Sequence, residues 1–170
     1  MIKKELIVKQ LMLDSKHSVR LDIEKTTARS TTTFSTEIMY DIFAHTNFKA
    51  PGNTFLNDAS LIGFALLSVT PSHKEAVLRN IKVTNPDYMN KGIGSALLRT
   101  IEELCIENGC ERIEGLFRPS PNEHVNAKQI EAFYRKHGYI LYYDDERDFG
   151  WTIAKNLLKK TNEHDDTLEM

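Results

Sequence analysis

Polar and apolar residues alternate strictly near the start of the chain, where Val19, Leu21 and Ile23 are interleaved with Arg20, Asp22 and Glu24. That period of two predicts a strand with one buried face. The preceding run Leu6 to Leu13 also reads as a strand. Ile38, Met39, Ile42 and Phe43 fall at three- and four-residue steps, which predicts a short helix over 36–45. Residues 26–36, rich in Thr and Ser, carry no apolar period, so loop and edge strand both stand open there. Residues 60–69 are mostly apolar on both faces, as a central strand requires. Pro71 to Lys74 is turn chemistry, 76–84 reads as the returning strand, and Asn85-Pro86-Asp87 stops it.

From Gly92 the period changes. Ile93, Ala96, Leu97, Ile101, Leu104 and Cys105 recur at helical steps, and Asn108-Gly109 closes the helix with a left-handed cap. Residues 112–117 predict a strand and 119–122 a loop. Residues 127–137 predict a second helix with Ile130, Phe133 and Tyr134 on its apolar side. Two strands, 139–143 and 149–154, flank the charged turn 144–148. Strands followed by strand–helix–strand–helix–strand–strand imply an α/β (α+β) chain with a mixed sheet flanked by helices.

Composition narrows the classes. The 170 residues suit one domain, expected over 1–160 with a polar tail at 161–170. Hydrophobic residues at 41% and charged residues at 27% are those of a soluble globular protein. A net charge of -2 provides no global field for nucleic acid or an anionic membrane, so neither is an expected partner. No run approaches the ~20 apolar residues of a membrane span, and no secretory signal is visible, so a cytoplasmic location is expected. Cys105 and Cys110 fall on different helix faces and read as buried thiols in a reducing compartment rather than a bridge or metal pair. The six histidines show no H-E-x-x-H spacing, so no metal is expected.

The informative stretch is Met89-Asn90-Lys91-Gly92-Ile93-Gly94-Ser95, between a strand and an amphipathic helix. Free N–H groups at a helix start carry partial positive charge and bind phosphate oxygens. Gly92 and Gly94 have no Cβ, so a diphosphate can approach the backbone, with Lys91 at the rim and the Ser95 hydroxyl nearby. A Walker loop is excluded because the Lys precedes the first Gly. A dinucleotide fingerprint wants a third small residue where Leu97 stands, although Glu114 lies about 20 residues on. Glycines that only turn a tight corner remain the simple alternative.

Leu78 to Leu98 resembles the acetyl-CoA-binding motif of the GNAT superfamily: a strand, Gln/Arg-x-x-Gly-x-Gly/Ala, then a helix. Met89 stands where that family usually has Gln or Arg. Ala132-Phe133-Tyr134-Arg135-Lys136-His137-Gly138-Tyr139 resembles the family's later helix, with Tyr139 in place of the commoner Phe. The family's pantetheine-bonding Asn would fall at Ala127; Asn126 is adjacent and Asn122 lies further back. The likeness extends from Ala76 to Leu157, while the first 60 residues, a region that helps form the acceptor site in such enzymes, match loosely.

The resemblance implies a GNAT acyl-CoA N-acyltransferase fold, acetyl-CoA as co-substrate, and direct attack by a primary amine on the thioester. It implies that the strand Asn80-Ile81-Lys82-Val83 offers backbone groups to the pantetheine arm between two splayed parallel strands. The N–H of Val83 or Ile81 would polarise the carbonyl. Met89, Asn90, Lys91, Gly92, Ile93, Gly94 and Ser95 would hold the pyrophosphate, with Asn126 on the arm. Arg79, Lys82, Arg99 and Lys128 are the candidates for the 3′-phosphate.

Tyr134 is the candidate general acid; a core tyrosine is the alternative. A thiolate near ~8.5 and a phenol near ~10 differ by about 1.5 units, roughly 2 kcal/mol. Arg135 or Lys136 could reduce that difference. Glu114 is the candidate base, with Glu75, His73 and His124 weaker. Many relatives pair through sheet edges, so a homodimer is compatible. A non-catalytic acyl-CoA sensor or scaffold is the competing function, and a nucleotide-binding protein the third.

Overall fold

Five strands in succession pair antiparallel, each with the next, in the computed structural model, which describes residues 1–14, 17–46, 60–117, 126–143 and 151–157. They are β1 (Ile2–Met12), β2 (Ser18–Arg29), β3 (Thr36–Thr46), β4 (Leu61–Thr70) and β5 (Glu75–Val83). Helix α1 (Ile93–Glu107) then carries the chain to β6 (Arg112–Phe117), which pairs parallel with β5. Helix α2 (Ala127–Lys136) leads to β7 (Ile140–Tyr143) and β8 (Trp151–Asn156). The sheet order is β1-β2-β3-β4-β5-β6-β8-β7, so the expected mixed sheet is present.

Both helices lie against one face of this sheet. Gly63 of β4 sits under Ile93 and Leu97 of α1, and Lys155 of β8 reaches Glu102 of α1 at 2.9 Å. The core forms between Ile93, Leu97, Leu98, Ile101 and Leu104 on α1 and Leu21, Ile23, Ile42, Ala65 and Leu67 on the strands, all buried. Each such Leu or Ile contributes about 1.5–3 kcal/mol by leaving water. On the open face Leu6, Val8, Met39, Val77 and Leu116 are exposed.

Residues 36–45 are not a helix but the greater part of β3. Ile38, Tyr40, Ile42 and Ala44 are buried in strict alternation, while Met39 faces the other side, 37% exposed. Apolar residues on both faces of a central strand imitate a helical spacing, and pairing with β2 on one side and β4 on the other decides the conformation. The Thr- and Ser-rich stretch divides: β2 runs on to Arg29, and a tight turn follows, closed by Ser30 N–H to Ser35 C=O (2.9 Å). β4 is central as its two-sided hydrophobicity demands.

Cys105 and Cys110 are both free and buried, and burial pushes both thiols up. The expected loop 119–122, the charged turn 144–148 and the tail 161–170 lie outside the described residues. No helix among the described residues is long and apolar enough to cross a membrane.

Candidate functional site

β5 and β6 part company halfway along. Their ladder runs Glu75–Arg112, Ala76–Ile113, Val77–Glu114 and Leu78–Gly115, then stops, although β5 continues to Val83 and β6 to Phe117. Two features mark the parting. At the last rung a Cβ on Gly115 would lie 2.8 Å from the Leu78 carbonyl oxygen, so only glycine fits there. On the other edge of β5 the register with β4 slips: Leu67 faces Leu78 but Leu66 faces Asn80, which leaves Arg79 as a bulge.

The bulge changes which residues face β6. Below it the Leu78 carbonyl points at β6, whereas above it the Lys82 carbonyl points at Gly63 of β4 and Thr84 N–H donates to Ile62 C=O (2.9 Å). Main-chain direction alternates along a strand, so Ile81 and Val83 turn their N–H and C=O groups into the gap. Their side chains are half-buried against the core, and those of Asn80 and Lys82 are exposed on the open face.

The chain leaves β5 through a short turn at Pro86–Tyr88, where the Asn85 side chain accepts from Asp87 N–H (3.0 Å). Met89 is half-buried, and Asn90 and Lys91 are exposed, with the Lys91 ammonium 6.0 Å from the Tyr88 ring centre. Asn90 and Gly92 adopt left-handed backbone, φ 60° and 86°. Gly92 is the N-cap of α1 and supplies no side-chain hydrogen bond. The first bond of the helix is Ala96 N–H to Gly92 C=O (2.9 Å), so the amides of Ile93, Gly94 and Ser95 lie outside the helical ladder.

α2 completes the arrangement. A Cβ on Gly94 would lie 3.3 Å from the Phe133 ring, so α2 rests directly on the first turn of α1. Next to Phe133, Tyr134 is buried at 4% exposure among Phe133, Tyr139 and Phe117, with ring centres 5.3, 5.6 and 6.0 Å away. Phe117 belongs to β6 beyond its last rung with β5, so Tyr134 stands on the helix face beside the gap. Burial alone pushes its phenol up from the ordinary tyrosine range. Arg135 and Lys136 are exposed, and Arg135 is taken up by Glu131 at 2.8 Å, so neither offsets that rise.

Glu114 is exposed on the open face, opposite to Ile113 and Gly115, and Arg112 Nε holds its carboxylate at 2.7 Å. Tyr134 and Glu114 therefore stand on opposite sides of the sheet. Asn126 is the N-cap of α2: its Oδ1 accepts from Gln129 N–H (2.9 Å) and the Gln129 side chain accepts from Asn126 N–H (3.1 Å). Glu75 and His73 sit at the opposite end of β5 from the glycine loop, and His124 and Asn122 lie outside the described residues. Arg79 pairs with Glu37 at 3.5 Å, while Arg99 and Lys128 are exposed on α1 and α2. Gly115 and Phe117 shape this site although the sequence does not single them out, whereas Phe133, expected on the apolar side of α2, is the ring that covers Gly94. An isolated glycine within a strand pattern was the available signal for the first. Among the described residues no group of three His, Cys, Asp or Glu could hold a metal ion.

No curated protein matches the chain. Among solved structures it is similar to Ard1 from Thermoplasma volcanium at 20% identity and TM-score 0.50, over 70% of this chain and 71% of that one. A GNAT-family acetyltransferase from Staphylococcus aureus Mu50 is similar at 16% identity and TM-score 0.52, over 71% and 68%. A nourseothricin acetyltransferase is similar at 17% identity and TM-score 0.50, over 92% and 88%. At these identities the likeness is one of fold. The family model for the acetyltransferase (GNAT) family matches residues 20–139, and with most of its length so matched the chain belongs to that family.

Proposed function

We propose that the chain is an N-acetyltransferase that passes the acetyl group of acetyl-CoA to a primary amine by direct attack. The observation that carries this is the gap between β5 and β6, opening beside an α1 start with no side-chain cap. A pantetheine arm fits the gap as a third, inserted strand. The free amides of Ile93, Gly94 and Ser95 receive the pyrophosphate, aided by the helix dipole, with Lys91 as a rim charge and Met89, Asn90 and Gly92 forming the bend. Ile81 and Val83 offer the arm their inward-turned main chain, and Val83 N–H polarises the thioester carbonyl.

Holding amine and thioester together supplies much of the acceleration. The amine approaches from the open face, where Glu114 accepts its proton through water. The thiolate leaves on the helix face, beside Tyr134. Burial keeps that phenol protonated at neutral pH and widens its disadvantage against a free thiolate beyond the ~1.5 units of the solution values. The same apolar surroundings raise the proton affinity of the departing thiolate, which narrows the difference again.

The test is release of free CoA from acetyl-CoA, followed with a thiol reagent, across polyamines, amino acids, aminoglycoside-like sugars and peptides with free amines. Acceptor-dependent release with one class is expected; none with any class overturns the proposal. One observation favours a binding-only sensor: Arg112 already occupies the Glu114 carboxylate. Such a module would be stabilised by acetyl-CoA in a thermal shift and release no thiol.

A further inference from the structure

Two groups of apolar side chains lie bare on the open face. Leu6 and Val8 belong to β1, at the sheet edge farther from the gap. Val77, Leu116, Ile140 and Tyr142, 48–56% exposed, border the gap and continue to β7. Register sets Leu116, Thr152 and Tyr142 in one row across the sheet, and Val77, Glu114, Ala154 and Ile140 in the next. Leu116 is the first open-face residue of β6 past its last rung with β5, so it forms one lip of the gap. The Tyr142 hydroxyl accepts from Arg112, which also donates to Glu114 (2.7 Å) and Asn156 (3.0 Å), so the ring is held by its polar end. A contiguous apolar patch left in water marks a place where a ligand docks.

We propose that the acceptor is a monoamine whose body is an aromatic ring on a short alkyl chain, and that Leu116 and Tyr142 select it. The assignment rests on the acetyl-transfer reading, which alone brings an amine to the gap. Leu116 and Tyr142 are separated by two strand spacings, about 10 Å. A phenyl ring on a short chain covers that span once its amine stands at the gap. There it sheds water together with both side chains and stacks on the Tyr142 ring.

The charges around the gap argue against a polycation. Glu114 is held by Arg112, and Glu37 is held by Arg79 at 3.5 Å. The other lip carries Asn80 and Lys82, both exposed. Further carboxylates on this face, Asp22, Glu24 and Asp41, stand on β2 and β3, at least about 10 Å from β5 and on the side of the gap away from the patch. A second ammonium on the acceptor would therefore lie on apolar surface or beside Lys82, and neither place repays its loss of water.

The test compares phenethylamine, ethylamine and spermidine as acceptors in acetyl-CoA turnover by the full chain. Phenethylamine is expected to exceed ethylamine in kcat/KM at least about tenfold, and to exceed spermidine as well. Leu116→Asn and Tyr142→Ala are each expected to shrink the preference for phenethylamine over ethylamine to within about threefold, through KM rather than kcat. Both side chains are half exposed, so the core is spared. Tyr142→Phe keeps the ring and loses only the bond to Arg112, and it should restore the preference. Faster turnover of spermidine, or of a sugar or peptide amine, than of phenethylamine overturns this inference and leaves acetyl transfer standing. Thiol release with no amine at all removes both. An unaltered preference in Leu116→Asn and Tyr142→Ala overturns the role given to the patch.

Discussion

The two helices begin in opposite ways. α2 opens with a reciprocal capping box, Asn126 and Gln129 each satisfying the other's backbone. α1 opens on a left-handed glycine without a side-chain hydrogen bond. A side-chain cap is worth about 1 kcal/mol over alanine but only a few tenths over glycine, so Gly92 leaves the amides of α1 open at little cost to the helix. The two starts also differ in surroundings: α1 begins beside the gap between β5 and β6 and is crossed by Phe133, and α2 begins on an exposed residue. The lesson is that an open helix start gains functional meaning from what lies around it. In the proposed account the pyrophosphate acts as the cap that the sequence leaves out.

This contrast can be broken or sharpened in graded ways. Tyr134→Phe is expected to have the largest effect, lowering kcat by about 10²–10⁴ if the phenol is the acid, with acetyl-CoA affinity unchanged within about twofold. Steady-state kinetics beside calorimetric titration would separate the two quantities, and an unchanged kcat would return Tyr134 to a packing role.

Ser95→Asp sharpens the contrast directly. A carboxylate in the first turn should stabilise α1 by about 0.3–1 kcal/mol and, by occupying the same amides and repelling phosphate, weaken acetyl-CoA binding at least about tenfold. Melting and titration of the same variant should thus move in opposite directions; parallel movement would argue against a phosphate site.

Asn126→Ala removes the closed start and is expected to cost about 1 kcal/mol of stability. If the side chain only caps, acetyl-CoA affinity stays within about threefold. A larger loss, measured by titration, would assign its amide nitrogen to the pantetheine arm.

The effect of pH is absent near neutrality and confined to alkaline conditions. Burial is the largest cause raising Tyr40, Tyr134, Tyr139, Cys105 and Cys110 above their ordinary values, so the folded chain holds these protons longer than the unfolded one. Their contribution is complete below the unfolded values of about 8.5 for Cys and about 10 for Tyr, and is lost as pH rises beyond them. Tm by circular dichroism should be flat from about pH 6 to 8 and fall above about pH 9.

Much of the candidate site's local structure is legible in the sequence because its signals are local. The change of period at Gly92, the two left-handed glycines that end α1 and α2, and the amphipathic stripe that carries Tyr134 all lie within one element or its cap. Alternation also places Glu114 and Leu116 on the face opposite to Ile113 and Gly115. What escaped depends on partners distant in the chain. β3 imitates a helix in sequence because its apolar residues occupy both faces, and only pairing with β2 and β4 makes it a strand. The expectation of splayed strands came from family likeness. The bulge at Arg79 and the tight approach of Gly115 to Leu78 arise from register between strands, which no local pattern encodes.

The central claim concerns the amides at the start of α1, and an amide-resolved NMR titration of the chain with CoA tests it most directly. The account predicts that the N–H signals of Gly92, Ile93, Gly94 and Ser95 shift strongly and saturate together, while those of Glu107 and Asn108 at the far end of α1 hardly move. Saturable binding that leaves the four α1 amides unshifted would contradict it.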